Sequence, residues 1–225
     1  DEARRLSPRV PSDAAAPRYV PLSPGALGAA ASYDPRGGNS ALILWLGMSP
    51  NDIKALIRSI PDFPGVGIVF RDVTTLLSHG QGFAESVDWL ARCAEAHGAQ
   101  IIVGIEARGF IFGAAAAAQL RLPFVPVRKQ GKLPVPVLEA KYALEYGADT
   151  LELDPGAIRD GARVVIIDDL LATGGTAQAA AELVRRAGGV VDHALFVIDL
   201  PDLGGSGRLA GCGIASRALV SFEGH

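Results

Sequence analysis

Cysteine is scarce in this sequence: Cys93 and Cys212 are the only two among 225 residues, and they lie far apart. They form no metal-ligand spacing, and a reducing cytoplasm is the simplest setting for them. Histidine is equally thin. His79, His97, His193 and His225 are scattered without ligand spacing, so no zinc site follows. A basic excess is missing too: 21 Lys and Arg stand against 24 Asp and Glu, for a formal net charge of -3. Nucleic-acid binding needs a strong surplus of cations to neutralise phosphates, so that class of partner is not expected. Nor is there an apolar run of about eighteen residues, the length needed to span a membrane. The richest stretch, Phe110 to Leu120, is broken by Gly113 and contains Gln119. A secretory signal is not expected either. Asp1 and Glu2 open the chain, and the short apolar octad Ala41 to Met48 is followed by no small-residue cleavage pattern.

What the sequence does hold is apolar mass, 49% of its residues, enough for a substantial core in one domain with an appendage. Residues 1–47 carry Pro8, Pro11, Pro17, Pro21, Pro24 and Pro35 in an Ala, Gly and Ser-rich stretch without helical or strand period. That composition predicts a disordered leader. Met48 is the only methionine and stands directly before the first well-formed element, so the native start is expected there, with a genuine flexible extension as the alternative. Residues 48–225 form the expected folded domain.

Ser49, Pro50 and Asp52 supply a cap, a first-turn proline and an acid three residues after the cap. Ile53, Leu56, Ile57 and Ile60 follow at helical spacing, which predicts a helix that stops at Pro61. Beyond it, the apolar runs Ile101 to Gly104, Phe124 to Val127, Val164 to Ile167 and Ala194 to Ile198 read as buried strands. Between them, helical patterns occupy Phe83 to Ala96, Phe110 to Leu120 and Thr176 to Ala187. This order predicts an α/β fold with a central, mostly parallel sheet flanked by helices, whose ligands sit beyond the carboxyl ends of the strands.

The chemistry concentrates between Val164 and Thr176, where a buried strand runs into Asp168 and Asp169, then a small-residue loop, then a helix. Gly174 and Gly175 let the backbone approach a ligand, so that amides at the helix N-terminus can cradle a phosphate, with the Thr173 and Thr176 hydroxyls adding donors. Two carboxylates beside a phosphate would repel it in isolation. They make sense as ligands of ribose hydroxyls or of a hydrated Mg2+ brought by a sugar phosphate. Taken alone, Thr-Gly-Gly-Thr also fits an ordinary strand-to-helix turn.

The whole string resembles the phosphoribosyl-diphosphate (PRPP) motif of type I phosphoribosyltransferases, and it lacks the Lys-Ser/Thr ending of a nucleotide P-loop. Four further segments follow the order of the adenine phosphoribosyltransferases. They are Pro61 to Pro64 with Gly67 to Asp72; Glu106 to Phe110; Val127 to Lys129 with Gly131 to Pro134; and Tyr142 with Leu144 to Gly147. The resemblance runs from about residue 49 to His225 and implies a type I phosphoribosyltransferase fold with a flexible hood. The implied reaction joins PRPP and adenine to give AMP and diphosphate with Mg2+, in a cytoplasmic homodimer.

By that resemblance Ala172, Thr173, Gly174, Gly175 and Thr176 hold the 5-phosphate, and Asp168 and Asp169 face the ribose and metal. Glu106, Ala107, Arg108, Arg128, Lys129 and Lys132 form the diphosphate region, with a strained, often cis, peptide expected at Glu106-Ala107. Arg108 would lie in a short loop after its strand, with its fork on two diphosphate oxygens. Without the motif, the Arg128, Lys129 and Lys132 cluster could be an ordinary solvated loop. Phe70 is the implied stacking partner of adenine, flanked by Val69 and Arg71, whose backbone groups read the base edge. Gln130 to Asp149, with weak periodicity, fits a mobile hood. There Tyr142, Leu144, Glu145 and Tyr146 would close the site, and Glu145 would act as acid or base near the purine N7. The competing readings are a phosphoribosyltransferase for another purine base and a catalytically silent PRPP-sensing regulator.

Overall fold

A computed structural model describes residues 47–143 and 148–224, so residues 1–46 of the expected leader and Leu144, Glu145 and Tyr146 lie outside the described residues. The first helix is α1, Pro50–Ala55, and its capping box is formed: Ser49 Oγ accepts from the Asp52 amide at 3.2 Å, and Asp52 Oδ2 accepts from the Ser49 amide at 2.8 Å. The helix expected to reach Pro61 ends here. Arg58–Pro61 is instead a strand, β1, paired antiparallel with Val69–Asp72, β2. The isoleucines gave no warning, because β-branched residues suit a strand as well as a short helix. Ile53 and Ile57 are buried, while Ile60 stands opposite Phe70 in the ribbon. Asp72 ties the ribbon down, accepting from Arg58 at 2.6 Å and capping Thr74 N at 2.9 Å at the start of α2, Thr74–Leu77.

Seven further strands form one sheet: β3 (Ile101–Ile105), β4 (Phe124–Lys129), β5 (Leu138–Ala143), β6 (Ala148–Leu153), β7 (Arg163–Leu171), β8 (Val190–Asp199) and β9 (Ala215–Ser221). Their spatial order is β5-β6-β4-β3-β7-β8-β9, parallel from β4 to β9 and antiparallel in the β4, β6, β5 part. Alternation decides which face each side chain joins. Val103, Ile105, Val164 and Ile166 pack with α5 (Gly175–Arg186) and with Leu209 of α6 (Gly205–Gly211). Ile102, Val165 and Ile167 pack with α3 (Gly80–Ala96) and α4 (Arg108–Leu120) on the other face.

Each expected strand and helix of the core is present, most of them longer than the apolar runs alone suggest. The stretch from Gln130 to Asp149 departs from its weakly periodic expectation. Its second half joins the β5–β6 hairpin, with Leu138, Ala140 and Tyr142 turned to the core and Glu139 and Lys141 exposed.

Candidate active site

The chain leaves β3 toward β4 on one side and later returns as β7 on the other, so the order of strands reverses between β3 and β7. Open α/β sheets bind ligands at such a point, beyond the carboxyl ends of the strands. The last register pair of β3 and β7 is Gly104 with Ile167, so Asp168 is level with Ile105, the last residue of β3, and Asp169 stands just past it. Facing them, the peptide between Glu106 and Ala107 is cis, as the resemblance implied, and Arg108 is the first residue of α4 rather than a loop residue. Gly109 packs directly on Asp168: a Cβ there would overlap Asp168 Oδ1 and come within 3.1 Å of its Cα.

After β7 the loop turns at Gly174, whose φ of 78° is left-handed, and a Cβ there would lie 2.9 Å from the Gly205 carbonyl oxygen. Only glycine meets both conditions. Helix α5 then begins without a side-chain cap, so its first amides remain open to an anion.

The cleft between these segments has a volume of about 410 Å³. Its walls bring together most of the expected site: Glu106, Ala107, Arg108, Lys129, Tyr142, Asp168, Asp169, Ala172, Thr173, Gly174 and Thr176. Gly175, Arg128, Lys132, Val69, Phe70 and Arg71 do not line it. Two of these connect to it indirectly. Arg128 Nε and Nη2 donate to Glu106 at 3.1 and 3.5 Å, and the Arg108 guanidinium lies 5.7 Å from the centre of the Phe70 ring. Phe63 meets Phe70 edge-on at 5.3 Å. Among the described residues β2 pairs only with β1, so the other edge of β2 has no strand partner. The Arg71 side chain turns away, donating to Ser59 Oγ at 2.5 Å and lying over Phe222.

Charge in the cleft is finely divided. Arg108 Nε is ion-paired with Asp169 Oδ2. Burial, followed by the charge of Asp169, pushes the Asp168 carboxyl well above the ordinary carboxylate range. Glu106 is shifted the other way, held down first by its bond from Arg128, and it also accepts from the Lys129 amide at 2.9 Å. Burial pushes the Tyr142 hydroxyl up, and the charge of Asp149 adds to it.

The residue readings missed Asp149, whose carboxylate accepts from Lys129 Nζ at 3.1 Å and from Tyr142 Oη at 3.3 Å. They also missed the walls supplied by Leu170, Leu171, Ala177 and Phe196. Asp149 becomes visible only once 138–153 is recognised as a hairpin that sets residues 142 and 149 opposite each other.

The phosphoribosyl transferase domain family matches residues 72–201, a span that holds the loop, the cis peptide and the hairpin. An adenine phosphoribosyltransferase of Novosphingobium aromaticivorans is 61% identical over 178 residues, 79% of this chain and 100% of that protein. The crystal structure of adenine phosphoribosyltransferase from Thermoanaerobacter pseudethanolicus is similar with a TM-score of 0.73 at 46% identity, covering 77% of this chain and 100% of that one. The Saccharomyces cerevisiae enzyme, solved with an iminoaltritol bisphosphate and adenine, gives 0.71 at 36% identity, covering 76% of this chain and 98% of that one. On matching sequence and fold, the chain belongs to the adenine phosphoribosyltransferase family.

Proposed function

We propose that this protein transfers the 5-phosphoribosyl group of PRPP to adenine, giving AMP and diphosphate in purine salvage. The observation that carries the reading is the meeting of the Ala172–Thr176 loop with the Glu106-Ala107-Arg108 turn in one cleft at the switch of strand order. In the reaction the anomeric C–O bond to diphosphate breaks, the C–N bond to adenine N9 forms with inversion, and the N9 proton leaves. Positive charge grows on the ribose and negative charge on the departing diphosphate, so the site must stabilise both.

The loop amides and the Thr173 and Thr176 hydroxyls hold the 5-phosphate. Asp168 and Asp169 face the ribose. Arg108 and Lys129 face the diphosphate from the cleft wall, and Arg128 supports them through Glu106. Phe70 stacks on adenine, and the free edge of β2, through Val69 and Arg71, reads its amino edge with one N–H and one C=O. A 6-oxopurine would present an acceptor to that C=O, which favours adenine over hypoxanthine, guanine or xanthine. Glu145, outside the described residues, is the proposed proton carrier at N7. Among the described residues there is no helix that could cross a membrane, and a cytoplasmic homodimer is carried over from the family resemblance.

The donor set suits Mg2+ that arrives with substrate. Among the described residues no group of three or more His, Cys, Asp or Glu could hold a metal by itself. The adjacent carboxylates of Asp168, half-buried, and Asp169, buried and ion-paired with Arg108, would hold a hydrated ion arriving with the substrate. When bound, Mg2+ would neutralise the diphosphate charge.

The reading is tested at the base platform. Phe70→Ala is expected to raise the KM for adenine about tenfold or more, with the KM for PRPP little changed, because stacking is lost while the phosphate loop is intact. Equal effects on both substrates, or none, would remove Phe70 from the base site.

A further inference from the structure

The cations of the cleft wall are held by carboxylates behind them, and one of those carboxylates has no part in the chemistry above. Asp149 stands opposite Tyr142 in the β5–β6 ladder, while Lys129 stands opposite Leu151 in the β4–β6 ladder. Strand residues two apart share a face, so Asp149 is the diagonal neighbour of Lys129 on the side of the sheet where Leu151 and Tyr142 pack. Its two oxygens have separate partners. Oδ1 accepts from the Thr150 amide at 2.8 Å, which orients the carboxylate, and Oδ2 accepts both from Lys129 Nζ at 3.1 Å and from Tyr142 Oη at 3.3 Å.

Lys129 needs such a partner. Its side chain is 55% exposed and its four-carbon stem has many rotamers, whereas Asp149 is 27% exposed and anchored by backbone. The Lys129 backbone is fixed independently, by the hydrogen bond its N–H donates to the Glu106 carboxylate. Asp149 therefore determines where the ammonium goes, and Lys129 is one of the residues that line the cleft.

We propose that Asp149 is a positioning residue for phosphoribosyl transfer: it holds the Lys129 ammonium toward the diphosphate and ties that lysine to Tyr142 on the hairpin. The proposal rests on the reading of Lys129 as a diphosphate ligand. An ammonium has three donors, so one can stay on Asp149 while the others meet phosphate oxygens. Removing Asp149 has two opposed consequences, loss of the anchor and loss of a negative charge near a polyanion. The charge is already matched by Lys129 and screened by solvent, so loss of the anchor dominates.

The test is steady-state kinetics on the full chain with Mg2+, varying PRPP and adenine separately, for Asp149→Ala, Asp149→Asn, Asp149→Glu, Lys129→Ala and the double variant Asp149→Ala/Lys129→Ala. Asp149→Ala and Asp149→Asn are expected to raise the KM for PRPP about threefold to tenfold with the KM for adenine unchanged. Asp149→Glu should recover most of the loss. In the Lys129→Ala background, loss of Asp149 should add nothing further, since its effect passes through that lysine. If Lys129→Ala raises the KM for PRPP while Asp149→Asn leaves it unchanged or lowers it, the positioning role is overturned and the diphosphate reading of Lys129 stands. Additive effects, or equal disturbance of both substrates, would also overturn it as a merely structural contribution. An unchanged KM for PRPP in Lys129→Ala would overturn both.

Discussion

Asp168 lines the cleft beside Asp169, and Arg108, the one arginine lining it among the described residues, is ion-paired to Asp169. Burial raises the Asp168 pKa, and the neighbouring carboxylate raises it further. Between the ordinary carboxyl pKa and the raised one, the folded protein keeps a proton that the unfolded chain has released, so stability falls as pH rises through that window. Below the ordinary value the penalty disappears. Asp168→Asn is therefore expected to raise the melting temperature of the ligand-free protein at pH 7 to 8, by about 2–4 °C for each kcal/mol relieved, and to flatten its pH dependence. The same substitution should reduce turnover about a hundredfold, because the lost charge faces the ribose as it becomes cationic. Thermal melts across pH, paired with initial rates, check both halves. A variant that melts lower at pH 8, with its activity intact, would contradict them.

Two elements flank the site, the β1–β2 ribbon, which sets Phe70 beside Arg108, and α4, which packs on β7 at Gly109. The ribbon depends on Asp72, whose pKa is lowered to about 2, first by its bond with Thr74 and then by that with Arg58. A depressed carboxyl contributes stability above its unfolded pKa and loses it as pH falls toward 2. Asp72→Asn should accordingly cost about 1–2 kcal/mol at pH 7, read by denaturant unfolding, and much less near pH 2. At the second element, Gly109→Ala would force α4 away from Asp168, at a cost of about 1–3 kcal/mol, with loss of activity as the arginine at the start of the helix shifts. A Gly109→Ala variant with unchanged melting temperature would show that the approach is slack. The core strands and helices were legible because runs such as Val164 to Ile167 are buried on both faces and helices such as α5 keep a clear apolar period. The ribbon and the hairpin were not. Ile57 and Ile60 suit helix or strand, and Leu138 to Leu153 pairs across a gap that no local period reveals.

For the molecule as a whole, the sheet order does the work of assembly. It brings a turn from residues 106–108 and a loop from residues 172–176 to one place, although they are far apart in sequence, and it hangs the hairpin on the same edge as Lys129. The loop and the acids stood out because glycines and paired carboxylates after a buried strand suit a phosphate beside a ribose or metal, whereas the cations could be named only through the family resemblance. Their pairings could not. That Arg108 meets Asp169, Arg128 meets Glu106 and Lys129 meets Asp149 depends on register between strands, which composition does not specify. The central claim, that this cleft joins PRPP to adenine, is tested most directly by measuring diphosphate release from PRPP and Mg2+ with adenine, hypoxanthine, guanine and xanthine in parallel. The expected result is strong turnover with adenine alone and AMP as the product. Turnover with a 6-oxopurine in place of adenine, or PRPP binding with no turnover on any base, would contradict it.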